Sequence, residues 1–283
     1  MTRSFAGLAG LAALGCGQPA PCPVSSTPTV LGPVDEPSLI ELSGIARGDR
    51  WWWAHNDADS GGQIYALSDD GAVVGAVRLR GVEGVDFEDI AVERRAGGET
   101  LVWVGDIGDN EAERDAVGAY GFVEPAGTLL GAPTVDVQAV VWRYPGGLAH
   151  DAETLLIDPL AGERYVITRG RGEPTQAFVV EAGGLSREMA AVDAPALVDL
   201  DANLTAGDVS ADGAWVAVRS SGWAWLWARA QGEPLSTVWQ RSPDCTIELV
   251  DEPQGEGLGF SEDGLLTASE GEAQPLHLYP WLP

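Results

Sequence analysis

Asp86-Phe87-Glu88-Asp89-Ile90 is one of five versions of a single motif, a carboxylate-rich step into a short apolar strand. The others are Glu41-Leu42-Ser43-Gly44-Ile45, Asp151-Ala152-Glu153-Thr154-Leu155, Thr205-Ala206-Gly207-Asp208-Val209 and Gln254-Gly255-Glu256-Gly257-Leu258. Their closing aliphatic residues stand at 45, 90, 155, 209 and 258, at intervals of 45, 65, 54 and 49 residues. Periods of that size mark units that cannot bury their faces alone, such as the four-stranded blades of a propeller. The repeat predicts an all-β chain folded as a single β-propeller of five four-stranded blades. Six blades is the alternative, if the 65-residue interval hides a degenerate unit. Glu stands two places before the aliphatic residue in three of the motifs, at Glu88, Glu153 and Glu256. Equivalent points around one axis are therefore acidic.

Each repeat parses into strands A to D. Strand A follows the motif, and strand B follows turns such as Asp212-Gly213 and Asp263-Gly264, a dipeptide that favours tight hairpins. The B strands are expected at 51–54, 101–104, 165–168, 215–219 and 265–269, and the C strands at 63–67, 120–123, 177–181, 224–228 and 276–279. Strand D is expected at 73–79, 138–144, 188–192 and 237–240, and the fifth repeat has none before Pro283. The segment 29–34 reads as a strand outside any repeat and is expected to fill that place, which would remove an open sheet edge.

Net charge over the 283 residues is −27, and every one of the 16 basic residues is Arg. That balance argues against nucleic acid and anionic membrane surfaces and in favour of cations. Arg3 and the apolar stretch 5–14 read as an export signal. Ala13-Leu14-Gly15-Cys16 resembles the lipobox of bacterial lipoproteins, which makes Cys16 the expected lipidation site. The resulting division is a signal peptide at 1–15, a lipid-anchored tether and closing strand at 16–36, and the propeller at 37–283. The chain is expected to be a monomer in the cell envelope that meets the membrane only through this anchor; the alternative is an ordinary cleaved signal peptide and a secreted, soluble chain. Two cysteines remain, Cys22 and Cys245, and in an oxidising compartment they are a candidate disulfide.

In an antiparallel meander the start of strand A and the end of strand B share one sheet edge. The five motifs therefore lie on one face with the loops that follow strand B, among them Ala54-His55-Asn56-Asp57-Ala58-Asp59, Gly105-Asp106-Ile107-Gly108-Asp109-Asn110 and Thr168-Arg169-Gly170-Arg171. Carboxylates crowded at one mouth raise one another's pKa unless a cation or an arginine compensates them. Oxygen-only ligands, with Asn56 and Asn110 beside the acids, suit a hard cation and point to calcium. The alternative is an internal network in which Arg169, Arg171 and Arg219 neutralise Glu88, Glu153, Asp208 and Glu256. Asp57-Ala58-Asp59-Ser60-Gly61 resembles part of a calcium loop without the distal Glu of an EF-hand. There is no G-x-S-x-G elbow and no H-E-x-x-H. His55 and His150 fall on the motif face as candidate general bases or capping donors.

Taken in order, Leu-Ser-Gly-Ile, His-Asn-Asp, Phe-Glu-Asp-Ile-Ala, Gly-Asp-Ile-Gly-Asp-Asn, Asp-Ala-Glu, Thr-Ala-Gly-Asp-Val-Ser and Gly-Glu-Gly resemble a largely uncharacterised group of exported bacterial β-propellers. That group looks related to the phytase-like ("esterase-like activity of phytase") propellers. The resemblance covers about residues 38–283. It implies calcium in a shallow acidic site on one face, with Glu88, Glu153, Asp208 and Glu256 as an acidic ring and Asp57, Asp106 and Asp109 around it. For true phytases it implies hydrolysis of phosphate monoesters. Two functions are therefore expected. One is a calcium-binding lipoprotein that presents a ligand- or partner-binding face. The other is a calcium-dependent phosphoesterase in which Arg169 or Arg219 steadies developing charge.

Overall fold

The computed structural model describes residues 22–57, 61–181 and 186–283. The expected export signal, Cys16 and positions 58–60 of the calcium-loop-like stretch lie outside the described residues.

Strand β1 is Thr29–Pro33. Blade 1 contains β2 (Leu42–Arg47), β3 (Trp52–Asn56), β4 (Gln63–Leu67) and β5 (Val73–Leu79). Blade 2 contains β6 (Phe87–Arg94), β7 (Thr100–Asp106) and β8 (Val117–Val123); β9 (Thr134–Val135) follows in sequence, and β10 (Gln138–Arg143) completes the blade. Blade 3 contains β11 (Ala152–Ile157), β12 (Arg164–Thr168) and β13 (Ala177–Val180); β14 (Ser186–Glu188) follows, then β15 (Ala190–Val192). The short helix α1 (Pro195–Asp199) leads into blade 4, made of β16 (Ala206–Val209), β17 (Trp215–Arg219), β18 (Trp223–Ala228) and β19 (Cys245–Glu248). Blade 5 contains β20 (Gly255–Phe260), β21 (Gly264–Ser269) and β22 (Pro275–Pro280). Strand β1 lies antiparallel on β22, with Thr29 opposite Leu278, as the fourth strand of that sheet.

The strands form five antiparallel four-stranded blades, and the chain is a five-bladed β-propeller. The innermost strands β2, β6, β11, β16 and β20 pack side by side around the axis, and β20 packs back on β2. Small residues allow that approach. A Cβ on Gly257 would press on Ile45 and Leu42 of the neighbouring inner strand. Large side chains fill the wedges further out, where Trp53 meets Phe122 edge-on at 5.1 Å and Tyr165 meets Trp239 at 5.6 Å. Such pairs contribute about 0.5–1.5 kcal/mol beyond the area they bury.

The long interval holds no sixth blade. Part of it forms β9, which leaves its own blade and adds in parallel to β5 of blade 1. Strand β14 likewise adds in parallel to β10, so the expected strand at 188–192 is split between blades 2 and 3. The segment 237–240, expected as strand D of blade 4, lies instead in a 3-10 helix, Leu235–Gln240. Leu235, Val238 and Trp239 are buried at helical spacing behind Pro234, so this stretch carries a period of three rather than two. The fourth strand of that blade is β19, paired with β18.

Cys22 and Cys245 form a disulfide across 223 residues of sequence. It joins the start of the described chain to β19 and suits a compartment outside the reducing cytoplasm. Among the described residues no helix is long and apolar enough to cross a membrane. Because β1 already pairs with β22, reduction should cost about 2–4 kcal/mol, less than the chain-entropy figure for so long a loop. Urea unfolding with and without reductant measures it; peptide mapping without reductant that finds both thiols free would contradict the link.

Candidate functional site

Four of the five inner strands begin with a β-bulge. The extra residue is Ser43 in β2, Glu88 in β6, Glu153 in β11 and Glu256 in β20, each lying between two paired neighbours without a partner of its own. A bulge takes one residue out of the ladder and re-aims its side chain. Strand β16 has none: Ala206, Gly207 and Asp208 pair in unbroken register with Arg219, Val218 and Ala217.

Glu88 is the hub of the acidic mouth. One carboxylate oxygen from each of Asp57, Asp86 and Glu88 falls within 4.8 Å of the others, and the same holds for Glu88, Asp151 and Glu153. Five carboxylates from blades 1, 2 and 3 thus form two triads with one member in common. The B-end loop of blade 2 shapes them. Asp106 accepts from the Val85 and Asp86 amides at 3.3 and 3.2 Å and pairs with Arg114 at 2.7 Å. Asp109 accepts from the amides of Glu113 and Arg114, and its own amide donates to Asp151 Oδ1 at 3.0 Å. Gly108 lies against the hub, where a Cβ would strike the Glu88 and Asp86 carboxylates.

The electrostatics follow from burial and crowding. Glu88 is 3% exposed; burial first, and then Glu153, Asp57, Asp86 and Asp151, push its carboxyl up to about 12. Burial also raises Glu153 to about 8, with Arg169 opposing and Glu256 and Asp151 adding to the rise. Asp86, half-buried, is raised to about 6 by burial and by Asp57. Burial works against the Arg169 guanidinium, but Glu153 and Glu256 outweigh it and hold its charge. Asp151 Oδ2 and Glu153 Oε2 are buried without a donor from the protein, apart from a proton shared between carboxylates. Oxygen-only donors with orphaned buried lone pairs fit a hard divalent cation.

Comparison with described protein families finds no match, and comparison with curated proteins finds none either. Among solved structures, the chain is similar to Kuenenia stuttgartiensis hydrazine synthase at 9% identity, with a TM-score of 0.44 over 83% of this chain and 70% of that one. It is also similar to a chain in the complex of KlAtg21 with the coiled-coil of AgAtg16, at 10% identity and a TM-score of 0.37 over 81% and 63% of the two chains. Both likenesses are remote, and neither bears on what this chain does.

Of the expected ring, Glu88, Glu153 and Asp57 come together. Glu256 stands beside them, close enough to raise both Glu153 and Glu270. Asp106 and Asp109 build the loop rather than enter either triad. Asp208 belongs elsewhere. Without a bulge in β16 it takes the ladder position that Ile90 holds in β6, and its Oδ2 accepts from the Phe260 amide at 2.7 Å, tying blade 4 to blade 5. Asn56 accepts from the Glu41 amide and Asn110 from Arg171, so both are engaged in loop contacts.

The arginines bear on how far the protein itself compensates the cluster. Arg169 pairs with Glu153. Arg171 donates to Asn110. Arg219 is fully buried with Glu252 at 2.7 Å and donates to four backbone carbonyls, which removes it from any reacting group. Among the described residues a single arginine ion pair therefore serves Asp86, Glu88, Asp151 and Glu153.

Among the described residues neither candidate base hydrogen-bonds Asp86, Glu88, Asp151 or Glu153. His55 is completely buried with Nδ1 at 2.8 Å from the Asn56 carbonyl, and burial lowers its pKa to about 4. His150 packs on the Tyr144 and Phe178 rings at 4.8 and 5.2 Å.

Asp86 and Asp151 were absent from the expected ligand set. The signal was present: both blades 2 and 3 read Asp-x-Glu, with the Asp just ahead of the inner strand.

A pH dependence follows for the metal-free protein. Carboxyls with raised pKa keep protons in the folded state that the unfolded chain has released, so stability falls as pH rises. His55 opposes this below its ordinary value of 6.5, because there the unfolded chain takes up the extra proton. Between 6.5 and about 8, where Glu153 and Glu270 titrate, the acids act alone. The urea midpoint in chelator should drop across that window, and millimolar calcium should flatten the drop. A midpoint independent of pH in chelator would contradict the crowding.

Proposed function

We propose that this chain is an exported, lipid-anchored propeller that binds calcium at the Glu88-centred cluster and uses that mouth to bind an anionic ligand or partner. One observation carries the reading: five carboxylates converge, and four of them, Asp86, Glu88, Asp151 and Glu153, share one arginine ion pair. Asp57, Asp86, Glu88, Asp151 and Glu153 would hold the ion, and a bound cation would supply the positive charge the mouth lacks. Arg169 and Arg171 stand at the same mouth and would orient an anionic group approaching it. Export and anchoring rest on the 1–16 sequence, with the disulfide in support; mass spectrometry that finds an unmodified N-terminus beyond residue 16 would overturn the anchor.

Those two arginines also keep a second reading, the phytase-like phosphoesterase. Among the described residues no histidine bonds Asp86, Glu88, Asp151 or Glu153, and Arg219 is sequestered, so the binding role fits the residues better. The calcium-loaded protein, assayed against phosphate monoesters and lactones, should show no turnover above a Glu88→Gln control. Calcium-dependent phosphate release lost in that variant would establish the hydrolase instead.

A further inference from the structure

A cavity of about 560 Å³ opens at the other end of the axis, where the inner strands finish and turn into their B strands. Its wall combines the ends of β2 and β6 from blades 1 and 2 with the ends of β16 and β20 from blades 4 and 5. Asp208 reaches it because β16 has no bulge, and each of its oxygens accepts one backbone amide, Val209 at 2.8 Å and Phe260 at 2.7 Å. A carboxylate has about four acceptor sites, so capacity remains on the cavity side. Asp212 and Glu262 line the same wall, and among the described residues no cationic side chain lies within 4.0 Å of these three acids.

Arg94 is near enough to Asp208 to favour its charge, but the cavity's two cations bond other groups. Arg94 bonds Asp49 at 3.3 Å and the Arg47 carbonyl at 2.8 Å, and Arg47 pairs with Asp69 at 2.8 Å. Aromatic surface completes the wall. Phe260 and Trp281 stack with ring centroids 5.6 Å apart and planes 7° from parallel, and Trp215 borders the same space. The three acids disfavour an anion. An inorganic cation needs converging oxygens, and among the described residues the groups close enough for that lie at the opposite mouth. Carboxylates beside aromatic faces suit a positive charge on an apolar body.

We propose that this cavity is a second ligand site, for a small organic cation of the alkyl- or quaternary-ammonium class, with Asp208 as its charge partner and Trp281 as its aromatic wall. The site is independent of calcium, because it shares no residue with the Glu88 cluster.

Calorimetric titration with choline and with butylammonium, at fixed ionic strength and with glucose and acetate as comparison probes, tests it. Wild type should bind at least one ammonium saturably and neither comparison probe. Asp208→Asn should weaken that binding tenfold or more. Trp281→Ala, which leaves the Asp208 staple intact, should weaken it at least fivefold should the first variant fail to fold. Glu88→Gln and added chelator should leave it unchanged. Absence of saturable ammonium binding, preference for glucose, or affinity unaltered in Trp281→Ala would overturn the proposal.

Discussion

Glu88→Gln should raise the melting temperature of the metal-free protein and, in the same protein, abolish the stabilisation that calcium gives the wild type. Both halves come from one side chain. Without metal, Glu88 is buried among four other carboxylates and folds only by keeping a proton that the unfolded chain would lose at neutral pH. Gln has the same shape, needs no proton and can donate to Glu153, so the variant should gain about 1–3 kcal/mol at pH 7. With calcium the sign reverses. A ligand that binds only the folded state at a hundred times its Kd adds about 2.7 kcal/mol, and the Gln variant loses a charged oxygen common to both triads. Glu153→Gln differs from it, because it leaves Arg169 without its carboxylate and should not stabilise the metal-free protein. If arginines compensated the ring, chelator would have no effect and both Gln variants would destabilise.

Glu252→Ala should be the most destabilising single change near the axis. Glu252 Oε2 takes Arg219 at 2.7 Å, and Oε1 takes Thr267 at 2.8 Å and His277 at 3.1 Å. Burial alone would raise this carboxyl; His277, Arg219 and Thr267 together outweigh it and hold it low. The backbone closes tightly here too, since a Cβ on Gly255 would collide with both members of the pair. Removing the carboxylate leaves a guanidinium with no exposure and no counter-charge, a loss of about 3–5 kcal/mol. For a chain of this size that is on the order of 10 °C in melting temperature. Replacing both partners at once, Arg219→Met with Glu252→Leu, should cost less than the single change, because no buried charge remains. A single-variant loss below about 1 kcal/mol would show that Arg219 finds other compensation.

The blade repeat was legible because every inner strand is entered from an acidic or polar residue and carries an aliphatic residue four places later, a pattern the ring imposes on each unit. The strand at 237–240 was misread because Thr-Val-Trp-Gln looks β-prone locally, while the burial of Leu235, Val238 and Trp239 on one helical face decides the outcome. Sequence could not show that β9 and β14 dock on neighbouring blades, since parallel pairing across a blade boundary depends on tertiary placement. At the site, Glu88 and Glu153 were readable from their spacing. Asp208 was not: it stands one place, rather than two, before its closing aliphatic residue. Without a bulge in β16 it takes the ladder position of Ile90, away from the acidic mouth. Arg219 looked like a free loop cation in sequence; only packing reveals that Glu252, far from it in the chain, encloses it.

Calorimetric titration of calcium into the chelator-stripped protein tests the central claim most directly. The wild type should bind saturably, Asp208→Asn should bind as the wild type does, and Glu88→Gln should show no saturable binding. A wild type that takes up no calcium, or a Glu88→Gln variant that binds it unchanged, would contradict the assignment of the acidic mouth as a metal site.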